Sequence, residues 1–386
     1  MLATPPSHAK ARAKTPEEAA VVEALALLRA AADAEATSDA LAQVVSMTRA
    51  GNAANQSRFG QAGACGAIAA ALRAHMSNAR VVKKCCIAMS NLSYDFLNEK
   101  RLSETAASSD VVAALKAHSD RGSVAKECGR AMSNLALNAA SREQFAEAGA
   151  VAALVAALVA HGGTAGVAKQ LCKAVVVLCC DAANQARFGA AGACKAVVTV
   201  LRTHGASSTG VSTQACRAIT NLSSAVSDND KRLTDAGAAV AVVTALRANE
   251  KDSAVAEEGC RALANLSHAA NEQGLGSDPG ACSTVLAALQ AHGESPSVCR
   301  QALLAMGNLT CNDSNVKSFA ELAATEAVRA ATEAHSDHMD VAATGADLLA
   351  LLPPPAAEGS SKKRRRAPDE RMDCAHLSAR HLRDLC

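Results

Sequence analysis

Apolar residues recur along this chain at helical spacing, in short stretches separated by glycine or polar turns. Behind Thr15-Pro16-Glu17-Glu18, the residues Val21, Val22, Leu25 and Leu28 form one helical stripe. Thr15 can cap this helix, Pro16 takes its first position and Glu18 closes a capping box. A second apolar helix is predicted over 38–49, and the pair reads as an incomplete unit covering the end of a longer array. Residues 139–181 show the full unit. A short helix over 139–148 has Ser141 and Gln144 as a capping box, and Gly149-Ala150 breaks it. A second helix over 151–161 is apolar nearly all round, so it is expected to be buried on most sides. Gly162-Gly163-Thr164 turns the chain into a third helix over 167–179. The break recurs as Gly63-Ala64, Gly192-Ala193, Gly237-Ala238 and Gly280-Ala281, with Ala106-Ala107 in the second unit. A glycine there supplies the φ or the close approach that a sharp helix–helix corner needs.

The end of the third helix fixes the period. Asn91, Asn134, Asn221, Asn265 and Asn308 each precede a leucine, and Val177 holds the slot midway between Asn134 and Asn221. The steps are 43 or 44 residues throughout, the signature of a stacked helical array. The units run over about 52–95, 96–138, 139–181, 182–225, 226–269, 270–312 and 313–352, and Leu351 closes a degenerate last copy. Residues 1–14 are expected to be a disordered basic lead-in with no secretory h-region, and 353–386 a basic, mostly disordered tail whose stretch 372–385 has weak helical character.

Composition supports a helical array. Apolar residues make up 49% of the chain, yet it has no Trp, one Tyr and five Phe, so the core is small and aliphatic. That composition disfavours a β-sandwich or barrel. The net charge of +2 gives no global field toward nucleic acid, and none is expected as a partner. No apolar run reaches the ~18 residues of a membrane span. Fifteen cysteines without a secretory leader point to a reducing compartment, cytoplasmic or nuclear.

The layout of short helix, Gly-Ala corner and two longer helices, with Asn-Leu near the end of the third, resembles armadillo repeats over about 16–352. The resemblance implies an all-α, right-handed solenoid of about seven three-helix units plus a partial N-terminal cap. Importin-α and β-catenin share this architecture. In the family the third helices line a groove, and their asparagines hold the backbone of an extended peptide. By resemblance that role passes to Asn91, Asn134, Asn221, Asn265 and Asn308. Importin-α-like grooves pair each asparagine with a tryptophan that sandwiches lysines. This chain has no tryptophan, which points away from an import receptor of that type and toward a general protein-binding scaffold.

Four residues before the ladder slots stand Ile87, Arg130, Lys173, Arg217, Arg261 and Leu304. Eight before them stand Lys83, Lys126, Lys169, Thr213, Glu257 and Arg300. Eight of these twelve are basic and one is acidic. They share a helix face, so the groove is expected to favour an extended acidic peptide. The structural alternatives are basic side chains snorkelling along a packed surface, or residues inherited by repeat duplication. A transport adaptor with an autoinhibitory or targeting tail is the other functional reading. Lys362, Lys363, Arg364, Arg365 and Arg366 form a compact run that reads as a nuclear-localisation signal or a solvated cluster.

Other features carry less. His75, His118, His161, His204, His292 and His335 follow the second helices, one per unit. Copies ~8–10 Å apart cannot share a metal, so they read as helix C-terminal residues favoured by the macrodipole. Cys86, Cys172, Cys216 and Cys260 precede the ladder slots by five and read as core packing. Cys374, His376, His381 and Cys386 have no recognised zinc spacing. The sequence offers no phosphate loop, HExxH or GxSxG. Gly274-Leu275-Gly276 follows no strand. The expectation is a monomeric, non-enzymatic protein with no cofactor or metal.

Overall fold

The computed structural model describes residues 15–223, 227–270 and 279–352. The N-terminal cap is α1 (Pro16–Ala30) and α2 (Ala34–Met47). Four complete units follow: α3 (Ala53–Gln61), α4 (Ala64–Ala74) and α5 (Ala79–Leu92); α6 (Phe96–Ser103), α7 (Ala107–Ala117) and α8 (Gly122–Leu135); α9 (Ala139–Glu147), α10 (Ala150–His161) and α11 (Ala165–Leu178); α12 (Ala182–Ala190), α13 (Ala193–His204) and α14 (Thr209–Leu222). The fifth unit is α15 (Ser227–Asp235), α16 (Ala238–Ala248) and α17 (Ser253–Ala270). The sixth contributes α18 (Pro279–Ala291) and α19 (Pro296–Leu309). The seventh is α20 (Asp313–Glu321), α21 (Ala324–Ala334) and α22 (Met339–Leu351). Gly274-Leu275-Gly276, the tail from 353 and its basic run and candidate zinc cluster lie outside the described residues. Among the described residues the secondary structure is all helical, the expected α-solenoid.

Local chemistry sets the helix starts. Thr15 accepts from the Glu18 amide and Glu18 answers to the Thr15 amide, completing the expected box. The box expected at Ser141 and Gln144 does not form. Asn138 caps α9 instead, accepting from the Ser141 amide, while Ser141 lies buried inside the helix. The second cap helix starts earlier than the apolar pattern indicates, because Asp33 accepts from the Ala36 amide.

The corners follow the glycines in four units. Gly63, Gly149, Gly192 and Gly237 take φ values of 85°, 77°, 90° and 73°, the left-handed region open to glycine. The expected corner at Gly280 is not of this kind, since Gly280 lies inside α18. Ala106 turns with φ −81°, and among the described non-glycine residues only Ala323 has positive φ, at 52°.

The core is aliphatic with one aromatic slot. Phe59, Phe145, Phe188 and Phe319 are fully buried at matching positions of α3, α9, α12 and α20, and Leu102 and Leu233 fill that position in α6 and α15. Cys86, Cys172, Cys216 and Cys260 are completely buried on the third helices α5, α11, α14 and α17, as expected of small hydrophobes. Burial pushes the thiols of Cys172 and Cys260 up to about 12. Successive third helices pack on one another more closely than successive first or second helices do. The third helices, from α2 through α22, therefore form the most extensively packed row of the array, its inner row.

Candidate functional site

The last turn of a helix leaves carbonyls without backbone donors. In the third-helix row four of the ladder asparagines answer such carbonyls from the next unit, and Asn308 reaches a carbonyl within the longer α17. Asn134 Nδ2 donates to Ser90 O at 3.2 Å and Ser90 Oγ at 2.8 Å. Asn221 reaches Val176 O at 2.9 Å, Asn265 reaches Thr220 O at 3.2 Å and Asn308 reaches Ala264 O at 2.8 Å. Asn91 makes longer contacts to Val45 O and Thr48 Oγ1 of the cap. The five side chains thus lie in one register on the inner row. Asn91, Asn134 and Asn308 are buried, while Asn221 and Asn265 are half-buried. Their amides tie each third helix to the one before it.

The basic positions divide into two sets. In the first, Arg130 donates to Asn91 Oδ1 and Lys173 to Asn134 Oδ1, both at 3.2 Å. Glu127 lies 3.6 Å from Lys126 and 3.9 Å from Arg130. Lys83, Lys169 and Lys173 have no ion-pair partner among the described residues. In the second set, carboxylates neutralise the row. Arg261 pairs with Glu257 at 2.8 Å and Glu258 at 3.5 Å, Arg217 with Glu258 at 3.5 Å and Arg300 with Asp340 at 3.3 Å. Burial raises the Glu258 carboxyl, and the two arginines pull it back down. Net positive charge is therefore concentrated over α5, α8 and α11.

Three further ladders escaped the sequence reading. The recurring histidines are not simple helix ends. His118, His161, His204, His292 and His335 each place Nε2 2.7–2.8 Å from a carbonyl 42 residues earlier, namely that of Met76, Ser119, Gly162, Glu250 and Gly293. A carbonyl only accepts, so Nε2 carries the proton. His75 meets Thr37 Oγ1 of the cap at 3.0 Å, and Asn249 fills the fifth unit's slot by donating to Gly205 O at 2.6 Å. A second ladder caps the first helices. Arg29, Lys116 and Arg202 donate to Ala62, Ala148 and Ala236 carbonyls at 2.7–2.9 Å. The third joins first helices: Asn98 donates to Gln56 O and Asn229 to Gln185 O. These amides lie so close to Gly60 and Gly189 that an added Cβ would overlap their oxygens. The signal was a repeated Asn-Gln-x-Arg-Phe-Gly at 55–60 and 184–189.

Of the exposed large apolar side chains, four follow the ends of two neighbouring third helices, while Val22, Leu27, Val159, Val240, Leu322 and Met339 are scattered along the chain. Tyr94 is 59% exposed, Phe96 75%, Leu97 51% and Leu137 62%. Among the described residues no three His, Cys, Asp or Glu side chains are placed to hold a metal, and no single helix is long and apolar enough to cross a membrane.

A family model described as LRRK2 ARM repeat matches residues 193–336. No curated protein matches the chain. Among solved structures, an engineered protein superposes with a TM-score of 0.56 at 25% identity, covering 64% of this chain and 98% of that one. A designed armadillo repeat protein in complex with the peptide (KR)4 gives 0.53 at 23%, covering 64% and 99%. A structure from work on a phosphorylation switch controlling the interaction between cadherin and beta-catenin gives 0.65 at 19%, covering 85% and 60%.

Proposed function

We propose, from the armadillo-repeat architecture of this chain, that it is a non-enzymatic scaffold holding an extended, acidic segment of a partner protein along the third-helix row. Charge placement supports the reading. Arg217, Arg261 and Arg300 are matched by Glu257, Glu258 and Asp340, whereas Lys83 and Lys169 stand unpaired beside Lys126. Helix spacing puts those three lysines in register along the row, ~8–10 Å from one unit to the next. Charge-assisted hydrogen bonds to carboxylates would supply both encounter rate and register. The asparagines enter this reading as groove floor. Asn221 and Asn265, half-buried, are the amides a ligand backbone meets most readily.

The test is binding of labelled acidic and lysine-rich peptides to the full chain at low and high salt. Acidic peptides should bind more tightly, weaken as salt rises and lose affinity in Lys83→Glu/Lys126→Glu/Lys169→Glu. Tighter binding of lysine-rich peptides would instead establish the transport-adaptor reading. Residence in the cytoplasm or nucleus is part of the same proposal. A reporter fused to 353–386 tests whether Lys362, Lys363, Arg364, Arg365 and Arg366 direct nuclear entry.

A further inference from the structure

The chain's aromatic residues are few, and their distribution is uneven. Four of five phenylalanines fill the same buried slot in their repeats. The fifth, Phe96, and the single tyrosine, Tyr94, stand two residues apart and are both exposed. Tyr94 lies three residues beyond Asn91, just past the end of α5. Leu137 lies three beyond Asn134, just past the end of α8, so Tyr94 and Leu137 occupy equivalent places in neighbouring units. Single exposed apolar side chains need no explanation, but Tyr94, Phe96, Leu97 and Leu137 all follow the third-helix ends of two neighbouring repeats.

The same two units carry the lysine row at the other end of their third helices. Lys83 and Lys126 sit in the early turns of α5 and α8, and Lys169 follows in α11. From Lys83 to Asn91 is eight residues, about 12 Å along the helix axis. The first half of the inner row therefore has one edge lined by lysine ammonium groups and the other by exposed aromatic and aliphatic groups. In the first half a single carboxylate, Glu127, lies beside Lys126 and Arg130 and leaves Lys83 and Lys169 without an ion pair, whereas in the second half carboxylates pair with Arg217, Arg261 and Arg300.

We infer that the partner segment is an extended strand alternating carboxylate and apolar side chains, its acidic residues on Lys83, Lys126 and Lys169 and its apolar ones on Tyr94 and Leu137. This rests on the scaffold reading above and narrows it to one half of the row and one sequence pattern. Successive side chains of an extended chain leave to opposite sides. A strand along the row thus places every second residue toward the lysines and the others toward the apolar edge. A block of acidic residues followed by a block of apolar ones cannot meet both edges at once. Nor does a second copy of the chain fit, because four side chains fall well short of the ~800 Å² per partner of a standard protein interface.

The experiment uses the full chain and three twelve-residue probes: Asp-Leu alternating, the same composition in two blocks, and Asp-Gly alternating. Fluorescence anisotropy should show the alternating Asp-Leu probe binding about tenfold or more tighter than either other probe, as expected for burying even one leucine. Tyr94→Ala/Leu137→Ala, which alters only exposed side chains, should bring it down to the Asp-Gly level and leave Asp-Gly binding unchanged. Equal binding of the alternating and block probes, or indifference to the Tyr94 and Leu137 changes, overturns the inference while leaving an acidic-peptide scaffold intact. Failure of all three probes overturns the scaffold reading as well.

Discussion

Asn134 Nδ2 lies 2.8 Å from Ser90 Oγ and 3.2 Å from Ser90 O, so a side chain on α8 closes the open end of α5. Asn134 is 5% exposed, and its oxygen accepts from Lys173 of the following unit. One amide thus links three repeats. Asn134→Ala would leave buried polar groups unmatched, at a cost of about 1–3 kcal/mol. Denaturant unfolding should show that loss, and a smaller one for the half-buried Asn265→Ala. An unchanged midpoint for Asn134→Ala would show that the ladder amides are not holding the array together. Loss of ligand on replacing several asparagines would therefore mix unfolding with lost contacts. The lysine and Tyr94 variants are the cleaner probes of binding.

Val177 breaks the ladder. Each asparagine reaches a carbonyl 44 to 46 residues back, which from 177 is that of Ser133. Valine and asparagine have similar helix propensity, and Val177 is only half-buried. Val177→Asn should therefore gain one inter-repeat hydrogen bond of about 1 kcal/mol. A raised thermal midpoint is the expected result. A lowered one would mean that Val177 is held mainly by apolar packing.

The repeat period was legible because it is carried by neighbouring residues within one helix: Asn-Leu at each third-helix end and glycine at four corners. The ladders were not, because their partners lie 32 to 44 residues apart and meet only once the rise between units is known. His204 read as a helix end, yet its Nε2 sits on Gly162 O across a repeat boundary. The charge of the row was misjudged for a similar reason. Sampling four and eight residues before the slots collects Arg130, Arg217 and Arg261 but skips Glu127 and Glu258, which lie seven before and neutralise them.

The histidine ladder supplies its own control. Asn249 replaces histidine in the fifth unit and still donates to Gly205 O. His204→Asn should then retain more stability than His204→Ala, whose cost is about 1–3 kcal/mol for the uncapped carbonyl and the lost packing. Equal losses in the two variants would assign the role of His204 to packing alone.

Asp230 sets a pH dependence with a definite sign. It lies half-buried in α15, its Oδ1 has no hydrogen-bond partner among the described residues, and burial raises its carboxyl from 3.8 to about 7. The folded chain therefore holds this proton at pH values where the unfolded chain has released it. Below about pH 4 the group contributes no pH dependence. Between about 4 and 7 its contribution to stability falls as pH rises, and above 7 the penalty is complete. Asp230→Asn removes the titrating group, so the difference in stability between variant and parent should grow across that window and level off above it. After allowance for solvent screening of a partly exposed group, the gain should be about 1 kcal/mol. Urea unfolding of both proteins at pH 5 and pH 8 measures it. Parallel stability curves for the two would show that Asp230 titrates in the folded chain as it does in the unfolded one.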